Sequence, residues 1–363
     1  MPCLPWLCAR RPAGVIEKRC IRRPMLSVVL PSYNHGKYLR ASLEGLLAQT
    51  RGADEIIVID DASTDHSAEL ACSFLDRHPN FRLVRNSRNL GCVATLNCGL
   101  ALAHGPIVYF GAADDLTYPT LFACGLALLE AHPQAALFSA RSDLIDPDGR
   151  RLGAMPTPIP RLTPGFVDRG AAARLLMRDD GWFMGNTTLY RRAPLLSLGG
   201  FPEELGSLSD GYVSRLLALR YGACFSPEVL AAWRRLEGGF AWSQTVDRQR
   251  LDHLTKTLSK RMRESGSPFP AGYARRWERR IEFGARRFSL TEAHRQTAAQ
   301  GFTARLAAAT RESIMTSWLF FRLRPWDLLP VARRRFRYFI ERLPGASRWL
   351  LGRFSLSGHS AHR

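Results

Sequence analysis

Lysine is nearly absent from this chain. Only four occur in 363 residues (Lys18, Lys37, Lys256 and Lys260), although lysine and arginine together number 51 against 32 acids, for a formal net charge of +19. The basic charge is therefore almost all arginine, as a GC-rich coding sequence alone would also produce. Long apolar runs are missing too. None reaches the roughly 18 residues that a spanning helix needs, so no transmembrane helix is expected. The eight cysteines form no C-x-x-C pair and show no zinc-like spacing with histidine; most lie in apolar runs, where a reduced, buried thiol is the plain reading. That favours a cytoplasmic compartment. The start, "MPCLPWLCARRPAGVIEKRCIRRP", has too short an apolar stretch for a signal peptide, and its arginines follow rather than precede it. Residues 1–24 are expected to be disordered or an over-extended gene start, with Met25 opening the fold. No internal repeat is visible, which excludes solenoids.

What is present is a globular composition, 46% hydrophobic. At roughly 150 residues per domain the length suggests one large domain and a smaller one. Residues 1–24 carry six basic residues and one acid, and residues 311–363 carry eleven arginines and three acids. The middle is closer to balance. Basic ends on a balanced body suggest an anionic partner such as a membrane surface, a nucleic acid or a phosphorylated substrate.

Along the first half, short apolar runs alternate with helical patterns. "LSVVLP" (26–31), "EIIVID" (55–60), "FRLV" (81–84), "PIVYF" (106–110) and "AALFSA" (135–140) read as strands. Helical patterns follow Gly36, near 65–77, near 92–103 and from about Pro119 to Ala131. This alternation predicts a mostly parallel sheet flanked by helices. Such sheets bind ligands at the carboxyl ends of their strands, which sets Asp60, Asp61, Asp114 and Asp115 on one edge. Residues 141–170, rich in Pro, Gly and Arg, read as a loop or hairpin; "GNTTLYRR" reads as a strand and 211–221 as a helix. From about residue 243 the pattern is helical and arginine-rich.

Four segments carry a resemblance: "SVVLPSYNHGKYLRASLEGLLAQT", "DEIIVIDDASTD", "NLGCVATLNCGLALAHGPIVYFGAADD" and "GGFPEELGSLSDGYVSRLLALRYG". In this order and spacing they resemble the family-2 inverting glycosyltransferases with the GT-A fold, over roughly residues 26–235. The resemblance implies a GT-A catalytic domain over 25–242, with a nucleotide-binding half at about 25–140 and an acceptor-binding half at about 141–242. A basic helical region, 243–363, would follow. It implies transfer of a sugar from a nucleotide diphosphate sugar, UDP by default, to a hydroxyl of a glycan or lipid-linked glycan in cell-surface polysaccharide synthesis.

The resemblance also assigns residues. Asp115, with Asp114 beside it, would hold Mn²⁺ or Mg²⁺; hard cations take oxygen ligands, and two carboxylates plus substrate phosphates suffice. A cation would also relieve the repulsion between adjacent acids. Ala112 and Ala113 stand where a full Asp-x-Asp has its first acid. Asp61 would contact the nucleotide base, with Pro31, Ser32, Tyr33, Asn34, Asp60, Asn97 and Asp114 around the nucleotide. Asp210 would take the acceptor's proton. Trp182, Asn186 and Thr187 are acceptor-side candidates. Arg234 is read as a phosphate contact or a surface ion pair, and Leu236 occupies the place of a histidine. For each carboxylate there is a plain alternative: Asp114–Asp115, Asp61 and Asp210 all precede helices, and an aspartate N-cap stabilises a helix by about 0.5–2 kcal/mol.

The arginine- and aromatic-rich end, 311–363, fits either a peripheral contact with the inner face of the membrane or a helical cap on the catalytic domain. Three other readings stand beside the transferase. A nucleotidyltransferase would carry a Gly-rich phosphate loop after its first strand, which "PSYNHGKY" lacks. A nucleic-acid binder would not set acids at its binding edge. A degenerate transferase that only binds is kept open by Ala112, Ala113 and Leu236.

Overall fold

The structure, a computed structural model, describes residues 26–240 and 247–298; the expectations for residues 1–24 and 311–363 lie outside these residues. In chain order the elements are β1 (Leu26–Ser32), α1 (Gly36–Leu47), β2 (Glu55–Asp60), α2 (Ser67–Leu75), β3 (Phe81–Arg85), α3 (Cys92–Leu102), β4 (Ile107–Phe110), β5 (Leu116–Thr117) and α4 (Leu121–Ala131). Then come β6 (Leu137–Ile145), β7 (Arg151–Ala154), β8 (Gly165–Val167), α5 (Arg169–Asp179), β9 (Leu189–Arg191), α6 (Arg192–Ser197), α7 (Ser209–Tyr221), β10 (Ala223–Arg234), α8 (Arg248–Met262) and α9 (Tyr273–Ala298). Short 3₁₀ turns lie at Gly185–Thr187 and Glu203–Leu208.

Among the described residues one mixed sheet runs β3-β2-β1-β4-β9-β6-β10-β5, with β7 on β6 and β8 on β10. Strands β3, β2, β1 and β4 are parallel. Strand β9 enters antiparallel between β4 and β6, and β6 pairs parallel with β10. "GNTTLYRR" is thus half strand: its first residues form a 3₁₀ turn and only Leu189–Arg191 pair. Residues 141–170 contain the β6–β7 hairpin.

Strands buried on both faces read as continuous apolar runs, and β1 and β2 behave so. Alternation of side chains decides which layer each joins. Val28, Leu30, Ile56 and Val58 pack with Leu39, Leu43 and Phe122 on one face. Val29, Ile57 and Ile59 pack with Val93, Leu100 and Leu217 on the other. Each such side chain stabilises the fold by about 1.5–3 kcal/mol relative to exposure. Helix α3 comes so close to β1 that a Cβ on Gly99 would fall 2.2 Å from Val29 Cγ1.

Helices α8 and α9 dock on the same body. Leu258, Met262, Phe269, Tyr273 and Trp277 share a buried cluster with Leu176, Leu205, Leu216 and Leu219 of the sheet-bearing part. Asp247 caps α8 by accepting from Arg250 N at 3.0 Å. Among the described residues, no helix is long and apolar enough to cross a membrane.

Candidate active site

The parallel strands deliver their carboxyl ends to one edge. Ser32, the last residue of β1, pairs with Asp60, the last of β2, and Asp61 N donates to Ser32 O at 2.8 Å. Asn34 and Ala62, in the turns that follow, both adopt left-handed backbone (φ 55° and 60°). Asparagine tolerates this; alanine is strained there. Asn34 ties the two turns together: its N donates to Ser63 Oγ at 3.0 Å, and its Oδ1 accepts from Thr64 N at 2.8 Å. Its amide oxygen is therefore occupied by protein. Tyr33 beside it is 43% exposed and presents an open ring at the edge.

Asp61 is buried and does not cap α2. Its Oδ1 accepts from Asn86 Nδ2 at 2.7 Å and Leu90 N at 2.9 Å, and its Oδ2 accepts from Gly91 N at 2.9 Å. These partners lie 25–30 residues away, so the carboxylate anchors the approach to α3. Asp60 is held at 3.1 Å by the Arg85 guanidinium, while its buried Oδ1 has no hydrogen-bond partner among the described residues.

Asp114 and Asp115 follow β4. The N-cap of α4 is Thr120, which removes the capping alternative for the pair. Burial raises the Asp115 carboxyl well above the usual range, and the Asp114 charge raises it further; the Arg234 and Asn186 contacts oppose this only in part. Arg234 is neither a phosphate contact nor a surface ion pair. It is buried: its N donates to Asp115 Oδ1 at 2.8 Å, Nε to the Asp114 carbonyl at 2.7 Å, and Nη1 to the carbonyls of Asp146 and Pro147, both at 3.1 Å. Its guanidinium lies 4.8 Å from the Tyr38 ring. Arg234 is a strut that ties the Asp115 carboxylate and the Asp114 backbone to β10.

Two adjacent acids without a full neutralising partner suit a hard cation. Asn186 lies against Asp115, and its buried Oδ1 has no hydrogen-bond partner among the described residues. No set of three His, Cys, Asp or Glu gathers there, again among the described residues. The oxygens present fit Mg²⁺ or Mn²⁺ completed by substrate phosphates.

Asp210 stands in the first turn of α7, whose N-cap is Leu208 with no side-chain cap. It is not a capping residue. The residue is exposed, yet it sits in a cleft crowded by protein. Lost hydration there raises its carboxyl pKa, with Gly211 N and Arg215 pulling the other way. A Cβ on Gly185 would fall 2.8 Å from Asp210 Oδ2, so the 3₁₀ turn at 185–187 leaves room for the carboxylate. Gly185→Ala is expected to push it aside: turnover should fall by about 10–10²-fold, with UDP affinity unchanged by calorimetry.

One thiol reports the convergence of these groups. Cys92, in the first turn of α3, is pushed up to about 12 by burial and then by the charges of Asp210, Asp114 and Asp61. Three carboxylates from three distant segments thus lie within electrostatic reach of one thiol.

Other expected residues lie elsewhere. Asn97 spends both ends of its amide on Phe201, donating to its carbonyl at 2.8 Å and accepting from its N at 2.8 Å. It clamps a loop and is not free for a nucleotide. Trp182 is fully buried, 3.8 Å between centroids from Phe183 and edge-on to Phe225; it is core, not a platform for a sugar. Thr187 is also fully buried, its Oγ1 shared with the Ala140 backbone at 3.0 Å. Asn186 belongs beside Asp115 rather than on an acceptor surface. Arg234, Gly185 and the linking role of Asn186 carry no local sequence signal, because their partners are far along the chain.

An α/β sheet with a carboxylate-lined edge and an antiparallel strand at its centre defines the GT-A type of nucleotide-sugar fold. Solved structures agree. TarS 1–349 from S. aureus, in complex with UDP-GlcNAc, superposes with a TM-score of 0.56 at 20% identity over 71% of each chain. The mannosyltransferase PcManGT from Pyrobaculum calidifontis, with GDP-Man and Mn²⁺, gives 0.56 at 22% identity over 87% of this chain and 88% of that one. Residues 27–196 match the family described as Glycosyl transferase family 2. The uncharacterized glycosyltransferase YibD of Escherichia coli is 42% identical over 97 residues, 27% of this chain and 28% of that protein. Rv1520 of Mycobacterium tuberculosis is 29% identical over 229 residues, 62% of this chain and 63% of that protein.

Proposed function

We propose that this chain transfers a sugar from a nucleotide diphosphate sugar, with inversion, to a hydroxyl of a glycan or lipid-linked glycan. The observation that carries the reading is the row of acids Asp60, Asp61, Asp114 and Asp115 just past the carboxyl ends of β2 and β4, with Asp114 and Asp210 both within electrostatic reach of Cys92. The donors named for the two solved structures, UDP-GlcNAc and GDP-Man, support the donor class.

The acceptor oxygen attacks the anomeric carbon from the face opposite the nucleotide. As that bond forms, the bond from the anomeric carbon to the diphosphate oxygen breaks, and its electron pair leaves with the diphosphate. The acceptor's proton passes to the Asp210 carboxylate. A raised pKa suits that task, because a base works best with a pKa near the operating pH. Asp61 orders the segment from Asn86 to Gly91 that borders the donor. Arg234 and Asn186 hold Asp115, and with it Asp114, in place. Mn²⁺ or Mg²⁺ bound there would neutralise charge on the departing diphosphate.

A thermal-shift screen of nucleoside diphosphates, with and without Mn²⁺, tests the reading. UDP or GDP with Mn²⁺ should raise the melting temperature; ligand at 100 times its Kd stabilises by about 2.7 kcal/mol. Stabilisation by duplex DNA or RNA, and by no nucleotide, would point instead to a nucleic-acid binder.

A further inference from the structure

Asp210 is exposed at the start of a helix, so something else must fix that helix in position. The fixing group lies one turn further on. The Arg215 guanidinium donates through Nε to Asp180 Oδ1 at 2.9 Å and through Nη1 to the Gly211 carbonyl at 2.7 Å. Gly211 is the neighbour of Asp210, and its N donates to Asp210 Oδ1 at 2.6 Å. The turn is shaped to admit the guanidinium: a Cβ on Gly211 would fall 2.8 Å from Arg215 Nη1.

Asp180, just past α5, is buried and also faces α9. Arg280 Nη1 lies 3.9 Å from Asp180 Oδ2. The same guanidinium closes the end of α5, donating to the carbonyls of Leu176 at 2.9 Å and Met177 at 3.0 Å. Fully buried Tyr273, the first residue of α9, faces Asp180 and Arg215. Burial alone would raise the Asp180 carboxyl; Arg215 and then Arg280 outweigh it and hold it below the usual range.

A buried ion pair is weak evidence for stability, because desolvation offsets most of the attraction. Its geometry is the more informative property. One guanidinium joins a buried acid, anchored by α9, to the backbone beside the candidate base.

We propose that Arg215 is a positioning residue for Asp210, locked by Asp180 and by Arg280 of α9, so that residues 248–298 belong to the catalytic unit. This rests on Asp210 as the base. The sequence resemblance implies a catalytic domain that ends at residue 242, ahead of this anchor.

The test uses the full chain and follows nucleoside diphosphate release from donor sugar. The double variant Asp180→Asn, Arg215→Met removes the pair, and Arg280 keeps its bonds to the Leu176 and Met177 carbonyls. It should melt within a few degrees of wild type and bind UDP with Mn²⁺ normally. Its kcat should fall at least about tenfold, the scale of a small misplacement, with the donor KM unchanged. The acidic limb of its kcat/KM profile should move to higher pH, because the positive charge that lowers the Asp210 pKa is gone; the other groups facing Asp210, Cys92 and Tyr190, are untouched. Arg215→Lys keeps the charge but cannot span Asp180 and the Gly211 carbonyl together. It should lose kcat several-fold with the limb unmoved, and it decides the matter if the double variant does not fold. Wild-type kcat in a folded double variant, or in Arg215→Lys, overturns the proposal. Asp210→Asn run in parallel separates the two claims: if it is inactive while the Arg215 variants are fully active, the base stands and the positioning role falls.

Discussion

Asp210→Asn is expected to turn over about 10²–10⁴-fold more slowly than wild type, the usual cost of removing a general base. Its melting temperature and its affinity for UDP with Mn²⁺ should stay the same. Asparagine keeps the shape and still accepts from Gly211 N, the bond that the aspartate makes at 2.6 Å. It cannot take a proton. Because Asp210 is not the N-cap of α7, no helix-capping term is lost. Wild type should show a matching pH dependence. Lost hydration in the crowded cleft raises the Asp210 pKa, and below that pKa the base is protonated and idle. The acidic fall in kcat/KM should therefore begin above the roughly 3.9 of an ordinary aspartate. An Asp210→Asn enzyme within about threefold of wild type would lie far short of the general-base range and would remove Asp210 from the chemistry.

Asp115→Ala is expected to abolish the metal-dependent part of UDP binding, so that calorimetry with Mn²⁺ and with EDTA gives the same affinity. Asp114 and Asp115 are the proposed cation ligands, and one carboxylate alone is a weak ligand set for a hard cation. The alanine also removes the acceptor for Arg234 N, a 2.8 Å bond. Asp115→Asn serves as the control, since its amide oxygen can keep that bond while the charge is lost. Both variants should lose the metal effect. If Asp115→Asn retains metal-enhanced binding, the cation is held elsewhere.

The catalytic edge was legible because its physics is local. Apolar runs that end in paired acids mark strand ends directly, and β1, β2 and β4 lie where the runs place them. Asp61, Asp114 and Asp210 lie within electrostatic reach of Cys92. Contacts made across the fold were hidden. "GNTTLYRR" reads as a strand, but nothing local says that its three paired residues enter antiparallel between β4 and β6. Arg234 reads as surface charge until β10 pairs beside β6 and brings it to carbonyls 87–120 residues away. Trp182 and Asn97 failed as ligand contacts for a related reason. An aromatic pair ahead of a glycine looks alike in a core and in a sugar site, and an asparagine on a helix does not announce that Phe201 will claim both ends of its amide. The helices after residue 243 showed in their pattern, but their anchorage through Arg280 did not.

The central claim is sugar transfer from a nucleotide donor with Asp210 as base. The most direct measurement follows nucleoside diphosphate release from a panel of UDP- and GDP-sugars while proton NMR reads the anomer first formed, with water as acceptor. Release should depend on Mn²⁺ or Mg²⁺, stop with EDTA, be lost in Asp210→Asn, and yield the anomer opposite to that of the donor. Release with retained configuration, or release undiminished in Asp210→Asn, would contradict it.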